Sequence, residues 1–206
     1  MGKTVDYYFS PMSPWTYLGH ARFADMAKRH GAVINVKPAD LGKVFSVSGG
    51  LPLAKRAPQR QAYRMVELRR FRDHLKLPLN LQPKFFPAPV DLAAQFIVAA
   101  GRAGGSDAAM RLAGAVLRAC WAEERNIADA ETLSAICKEQ GMNAGQLAAA
   151  AQLEAVKAEY EGYTQEAVAR NVFGAPSYVI DGEIFWGQDR LEFVERALAA
   201  PAPSAR

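Results

Sequence analysis

The chain of 206 residues reads as an α/β protein in which two strand-bearing ends enclose a long all-helical middle. Three observations carry this. The N-terminal end runs strand, helix, strand. The C-terminal end runs strand, tight turn, strand, helix. Between them Leu, Ala and Val recur at helical spacing, which marks packed helix faces.

Each element follows from local chemistry. Residues 5–9, Val-Asp-Tyr-Tyr-Phe, are β-branched and aromatic and suit a strand. A helix over 14–30 begins with Pro14 at its first position and Ser13 as N-cap, and Gly31 stops it. Residues 33–37 alternate apolar and polar, which predicts a second strand. The Gly- and Pro-rich stretch 40–58 reads as loop. Its Gly49-Gly50 is no phosphate loop, because no Gly-Lys-Ser/Thr ending follows. A basic helix spans 58–75, with Tyr63, Val66, Phe71 and Leu75 available to line one face. Residues 77–90 are extended and proline-rich. Helices follow over 91–101, 106–125 (capped by Ser106 or Asp107), 129–140, 143–151 and 153–171. Residues 177–180 and 183–186 form a hairpin through Asp181-Gly182, which tolerate the positive φ of a type I′ turn. Gly187-Gln188-Asp189 breaks the second strand, and Asp189 is suited to cap the last helix. The tail 201–206 is expected to fray.

Composition narrows the function classes. A net charge of +4 is mild; it is compatible with anionic small substrates, and no nucleic-acid-binding module accompanies it. No stretch approaches the roughly 20 apolar residues of a membrane span, and the N-terminus runs into a strand without an apolar leader region. Cys120 and Cys137 make no disulfide framework and read as buried, inert thiols, which favours a cytoplasmic protein. His20, His30 and His74 share no ligand spacing, so no metal is expected.

A strand leading to a helix that starts at a polar residue, together with a distant Ala175-Pro176-strand-hairpin-helix, resembles the thioredoxin-like fold. In that fold a redox cysteine opens the first helix and faces a cis proline. Here the four positions are Ser13-Pro14-Trp15-Thr16, without a thiol, so disulfide exchange within the motif is excluded. A hydroxyl donor and a helix N-terminus there still favour an anion. The thiolate would then arrive on a ligand, for which glutathione is the candidate.

Further pieces make the resemblance specific. Tyr8-Phe9, Met12-Ser13-Pro14 and Tyr17-Leu18, the phrase His74-Leu75-Lys76-Leu77-Pro78-Leu79, and Phe173-Gly174-Ala175-Pro176 with Trp186-Gly187-Gln188-Asp189-Arg190 resemble the 2-hydroxychromene-2-carboxylate isomerase family. That family lies in the kappa-class glutathione transferase group and has a DsbA-like fold. The resemblance runs to about residue 198. It implies a thioredoxin-like domain in two parts, 1–44 and 171–200, around an inserted all-helical domain at 45–170, with 201–206 as tail.

The resemblance also implies an activity, namely glutathione-dependent cis–trans isomerisation of 2-hydroxychromene-2-carboxylate to trans-o-hydroxybenzylidenepyruvate, or of a related aromatic ring-cleavage product. Ser13 would hold the glutathione sulfur as thiolate. Ala175, beside cis Pro176, would pair its backbone with the cysteinyl unit. Trp186, Gly187, Gln188 and Asp189 would complete the tripeptide site. Phe45, Ser46, Lys55, Arg56, Phe85 and Phe86 correspond to substrate contacts of a small aromatic carboxylate, and a homodimer is implied. The asparagine that these isomerases carry before the long helix is missing from residues 49–56.

Plainer readings stand beside these. Ser13 could be only an N-cap, Asp189 only a helix cap and Trp186 only core. Phe85-Phe86 could be a loop anchor as well as a pocket wall. The seven cations Lys55, Arg56, Arg60, Arg64, Arg69, Arg70 and Arg72 could be a solvated face, with one or two meeting a carboxylate. A conjugating kappa-type transferase and a non-catalytic thioredoxin-like binding module are the alternative functions.

Overall fold

The structure is a computed structural model that describes residues 2–201; the rest of the tail expected to fray lies outside the described residues. Four strands form one mixed sheet: β1 (Thr4–Phe9), β2 (Val33–Pro38), β3 (Ser177–Ile180) and β4 (Glu183–Trp186), in the order β2-β1-β3-β4. β1 and β2 run parallel through the crossover helix α1 (Pro14–Arg29). β3 lies antiparallel to β1, with Tyr7 opposite Tyr178 and Tyr8 opposite Ser177. Asp181 and Gly182 both take positive φ in the β3–β4 turn, as the hairpin needs.

Strand alternation sends side chains to two helical layers. Tyr7 stacks on Phe9 and Tyr178, with ring centroids 4.8 and 5.4 Å away, and packs against Phe23 of α1. On this face His20 is buried. Its Nε2 meets the Met110 carbonyl at 2.9 Å, and its Nδ1 meets the Tyr7 hydroxyl at 3.1 Å. A carbonyl only accepts, so Nε2 carries the proton and Nδ1 accepts from Tyr7. Burial pushes the imidazole down to about 4, so it stays neutral. His20 is a structural histidine.

Tyr8 points to the other layer and packs with Val44, Ala167, Val172 and Val179. Val44 belongs to α2 (Leu41–Ser48), a helix that overturns the expected loop over 40–58. Asp40 caps α2 by accepting from the Gly42 and Lys43 amides, and Gly49 ends it with φ of 76°. A short 3-10 turn, Leu53–Lys55, follows.

The helical middle continues with α3 (Pro58–Leu75), α4 (Asp91–Trp121), α5 (Ala130–Glu139), α6 (Ala144–Ala151) and α7 (Glu154–Ala169). α4 breaks at Gly104 and Gly105, whose φ values are −139° and 72°, so the two expected segments share one kinked element. Ser106 donates its hydroxyl to the Ile34 carbonyl of β2 at 2.5 Å and so ties the kink to the sheet. Asp129 and Asn143 cap α5 and α6. α8 (Leu191–Ala199) closes the chain. Its N-cap is Arg190 and has no side-chain cap bond, so Asp189 is not the helix cap that its position suggested. Among the described residues no helix is long and apolar enough to cross a membrane.

Candidate active site

The central strands β1 and β3 deliver the two key segments to one end of the sheet. β1 ends at Phe9, and the turn Ser10–Ser13 leads into α1. In β3 the residue paired with Tyr8 is Ser177, so Ala175-Pro176 lies alongside the continuation of β1. The Ala175–Pro176 peptide is cis.

Ser13 is 7% exposed and has extended backbone angles. Its Oγ accepts from the Thr16 amide at 3.2 Å, so it is an N-cap. The cap occupies a lone pair and leaves the hydroxyl proton free to donate. Capping and donation to a ligand therefore coexist. The sixteen residues of α1 add the positive end of a helix dipole at this point. Thr16, at the motif's fourth position, buries Oγ1 without a partner among the described residues. Both cysteines are buried and free, and neither lies in this motif. Burial raises their thiols, Cys120 to about 12 and Cys137 to about 11, so neither supplies a thiolate near neutrality.

On the opposite side, Ala175 is buried, yet neither its N–H nor its C=O takes a partner among the described residues. Such a peptide group is a ready partner for an added extended segment. The neighbouring groups are fixed. The Ser177 hydroxyl donates to the Gly174 carbonyl at 2.8 Å, and the Gly187 amide donates to the Pro176 carbonyl at 2.9 Å. Gly187 has φ of 102°, which turns the chain away from β4.

Trp186 is 45% exposed, so it is not core. Its indole lies over the 173–174 backbone, 5.0 Å from the Phe173 ring. Gln188 is turned the other way. It is 2% exposed, and its Oε1 accepts from Arg22 of α1 at 2.7 Å. Its side chain braces the 187–190 turn against α1 through Oε1. Asp189 keeps its carboxylate half-exposed beside Gly187, in an ion pair with Arg190.

The residues matched to substrate contacts divide. Phe86 packs on Trp121 with centroids 4.8 Å apart, and Trp121 Nε1 donates to the Met12 carbonyl at 3.2 Å. This puts Phe86 in the wall next to Ser13. Arg56 turns inward over Phe45, 6.0 Å from its centroid. Phe85 is half-buried beneath the Lys84 ammonium. Lys55 is exposed, and the Ser46 hydroxyl donates back to the Lys43 carbonyl of its own helix. Tyr63 is 54% exposed, whereas Phe71 and Leu75 pack on the core as expected; Arg64 and Leu68 join them on the inward face of α3, and Phe71 meets Trp15 edge-on at 6.2 Å. Trp121 was missed because, in sequence, it is one more large apolar residue at the end of a core helix.

The DSBA-like thioredoxin domain family matches residues 4–199. The chain is 30% identical over 199 residues to the 2-hydroxychromene-2-carboxylate isomerase of Sphingobium xenophagum, covering 96% of this chain and 99% of that protein. A solved structure of 2-hydroxychromene-2-carboxylate isomerase superposes with a TM-score of 0.79 at 26% identity, over 95% of this chain and 94% of that one. The cytosolic disulfide reductase DsbM of Pseudomonas aeruginosa with GSH shares the fold alone, with a TM-score of 0.66 at 18% identity over 96% of this chain and all of that one. The chain belongs to the DSBA-like thioredoxin domain family and, within it, to the group of the 2-hydroxychromene-2-carboxylate isomerases.

Proposed function

We propose that the chain is a glutathione-dependent isomerase of 2-hydroxychromene-2-carboxylate or a related aromatic ring-cleavage product, acting as a homodimer in the cytoplasm. The observation that carries this is Ser13: a buried hydroxyl at a helix N-terminus, with its proton uncommitted and no protein thiol in the motif. The full-length likeness to proteins named as isomerases supports the reaction class.

The residues present fit glutathione. The unpaired Ala175 peptide suits the backbone of a bound peptide, and the Asp189 carboxylate suits an ammonium. When bound, glutathione supplies a thiolate whose reversible addition turns a conjugated C=C into a rotatable single bond. Ser13 donates to that anion, and the α1 dipole lowers the pKa of the thiol. Trp186 and Phe173 cover the peptide side, while Phe86 and Trp121 exclude water from the substrate side.

The direct test incubates the purified protein with 2-hydroxychromene-2-carboxylate, with and without reduced glutathione, and recovers the thiol afterwards. Turnover that requires glutathione and leaves its pool intact is expected. No binding at millimolar glutathione sinks the proposal, and stoichiometric loss of the thiol replaces it with conjugation.

A second prediction concerns Gly174. A Cβ there would stand 2.5 Å from Trp186 Nε1, so Gly174→Ala displaces the indole. Because Trp186 is half out in solvent, the ring can swing away at a cost of less than about 1 kcal/mol of stability. Glutathione affinity is expected to fall roughly tenfold, the loss of about one good contact. Calorimetric titration beside thermal unfolding reads both, and an unchanged affinity removes Trp186 from the site.

A further inference from the structure

Arg64 is a cation that the fold gathers in but does not neutralise. It lies on the inward face of α3, half-buried, with its guanidinium 5.3 Å from the Phe86 centroid and 5.8 Å from that of Trp121. Its hydrogen-bond partner among the described residues is the weak acceptor Met65 Sδ, at 3.7 Å. By contrast Arg102, Arg118, Arg125 and Arg170 each hold a carboxylate within 3.1 Å, and the partly buried Arg22 and Arg56 hold amide or carbonyl oxygens at 2.7 Å. Burial, then the nearby charge of Arg56, pushes Arg64 down to about 10. A guanidinium held off water without an anion is unfavourable unless something else supplies one.

We infer that Arg64 receives the carboxylate of the aromatic substrate, with Phe86, backed by the fully buried Trp121, as the wall against which the substrate's ring lies. Only the substrate's identity rests on the isomerase reading. The guanidinium is a planar fork that takes a carboxylate through two parallel hydrogen bonds. Its neighbours are flat and apolar, as an aromatic acid requires. The wall is tied to the reacting end, because Trp121 Nε1 holds the Met12 carbonyl next to Ser13. Arg56 is the weaker candidate for the same task. Its Nε is already committed to the Leu51 carbonyl at 2.7 Å.

The test compares trans-cinnamate with its neutral amide, read by calorimetry and by the fluorescence of the protein's tryptophans. In Arg64→Met, binding of the carboxylate is expected to weaken about 10- to 100-fold, the scale of a hydrogen-bonded charge pair. The amide should change by less than about twofold, and Arg64→Lys should recover part of the loss. In turnover the effect should fall on KM, with glutathione binding unaltered. Equal losses for acid and amide would make Arg64 a packing residue and overturn the inference. So would an unchanged carboxylate affinity in a folded Arg64→Met, or cinnamate that fails to bind the native protein. If the native protein binds cinnamate through Arg64 but shows no glutathione-dependent turnover, the carboxylate site stands and the isomerase reading falls.

Discussion

Ser13→Ala is expected to lower glutathione-dependent turnover by about 10²- to 10³-fold while leaving the protein folded, the range seen when one preorganised donor to a developing anion is removed. The hydroxyl has two separable jobs, and substitution can divide them. Its lone pair caps α1 through the Thr16 amide, a bond whose loss costs about 1 kcal/mol. Its proton is the donor to the thiolate. Ser13→Asp keeps a good cap but donates nothing, and it sets a negative charge where the thiolate must form. That variant should be as stable as the native chain and as inactive as Ser13→Ala, or more so. Ser13→Thr keeps both functions and should retain most activity. The pH–rate profile adds an independent reading. With the donor gone the thiol ionises less readily, so the acid limb of turnover should move to higher pH. Urea unfolding and turnover measured on the four proteins decide the matter. Native-like activity in Ser13→Asp would reduce Ser13 to a cap.

The parts of this site that were legible in sequence are those fixed by local chemistry. Ser13-Pro14 announces a helix start, Asp181-Gly182 a hairpin, and Ala175-Pro176 the entry to a strand; each needs only near neighbours. The α2 helix escaped because Gly42, Gly49-Gly50 and Pro52 look like loop punctuation. Its real signals were there: Asp40 two residues before Gly42, and a glycine stop at 49. The facing of α3 escaped because residue type and position disagree. Tyr63 looks like core and is exposed, whereas Arg64 looks like surface and is drawn inward over Phe86 and Trp121. The burial of the Gln188 side chain was not legible for a tertiary reason. Its turn is pulled towards α1 by Arg22, 166 positions away, and no local pattern encodes that pull.

Lys37→Met is expected to be the most destabilising single change considered, at about 3 kcal/mol. Lys37 Nζ lies 2.9 Å from Asp6 of β1 and 2.8 Å from Glu166 of α7, so one ammonium joins the sheet to the helical middle. The Lys37 and Asp6 side chains are only 11% and 12% exposed. Removing one partner of a buried ion pair costs roughly 3–5 kcal/mol, because the remaining charge stays desolvated and unpaired. The lower end applies here, since Arg170 still reaches Asp6 at 3.1 Å and Glu166 at 3.0 Å. For a chain of this length the melting temperature should drop by about 6–12 °C. Acid titration shows whether charge or packing is responsible. In the native protein burial alone would raise the Asp6 carboxyl, but the Asn35 amide, Lys37 and Arg170 hold it below its ordinary value of 3.8. That stabilisation is complete above the unfolded pKa and is lost as pH falls through the lower, folded pKa. In Lys37→Met the Asp6 carboxyl loses one of the partners that hold it down, so the variant's deficit is largest near neutrality. It should shrink only as pH falls through the folded pKa of Asp6, below 3.8, because the protonated carboxyl no longer needs the ammonium. A deficit that stays constant from pH 7 to pH 3 would assign the whole effect to the lost packing of the lysine stem and deny the ion pairs their part in fastening α7 to the sheet.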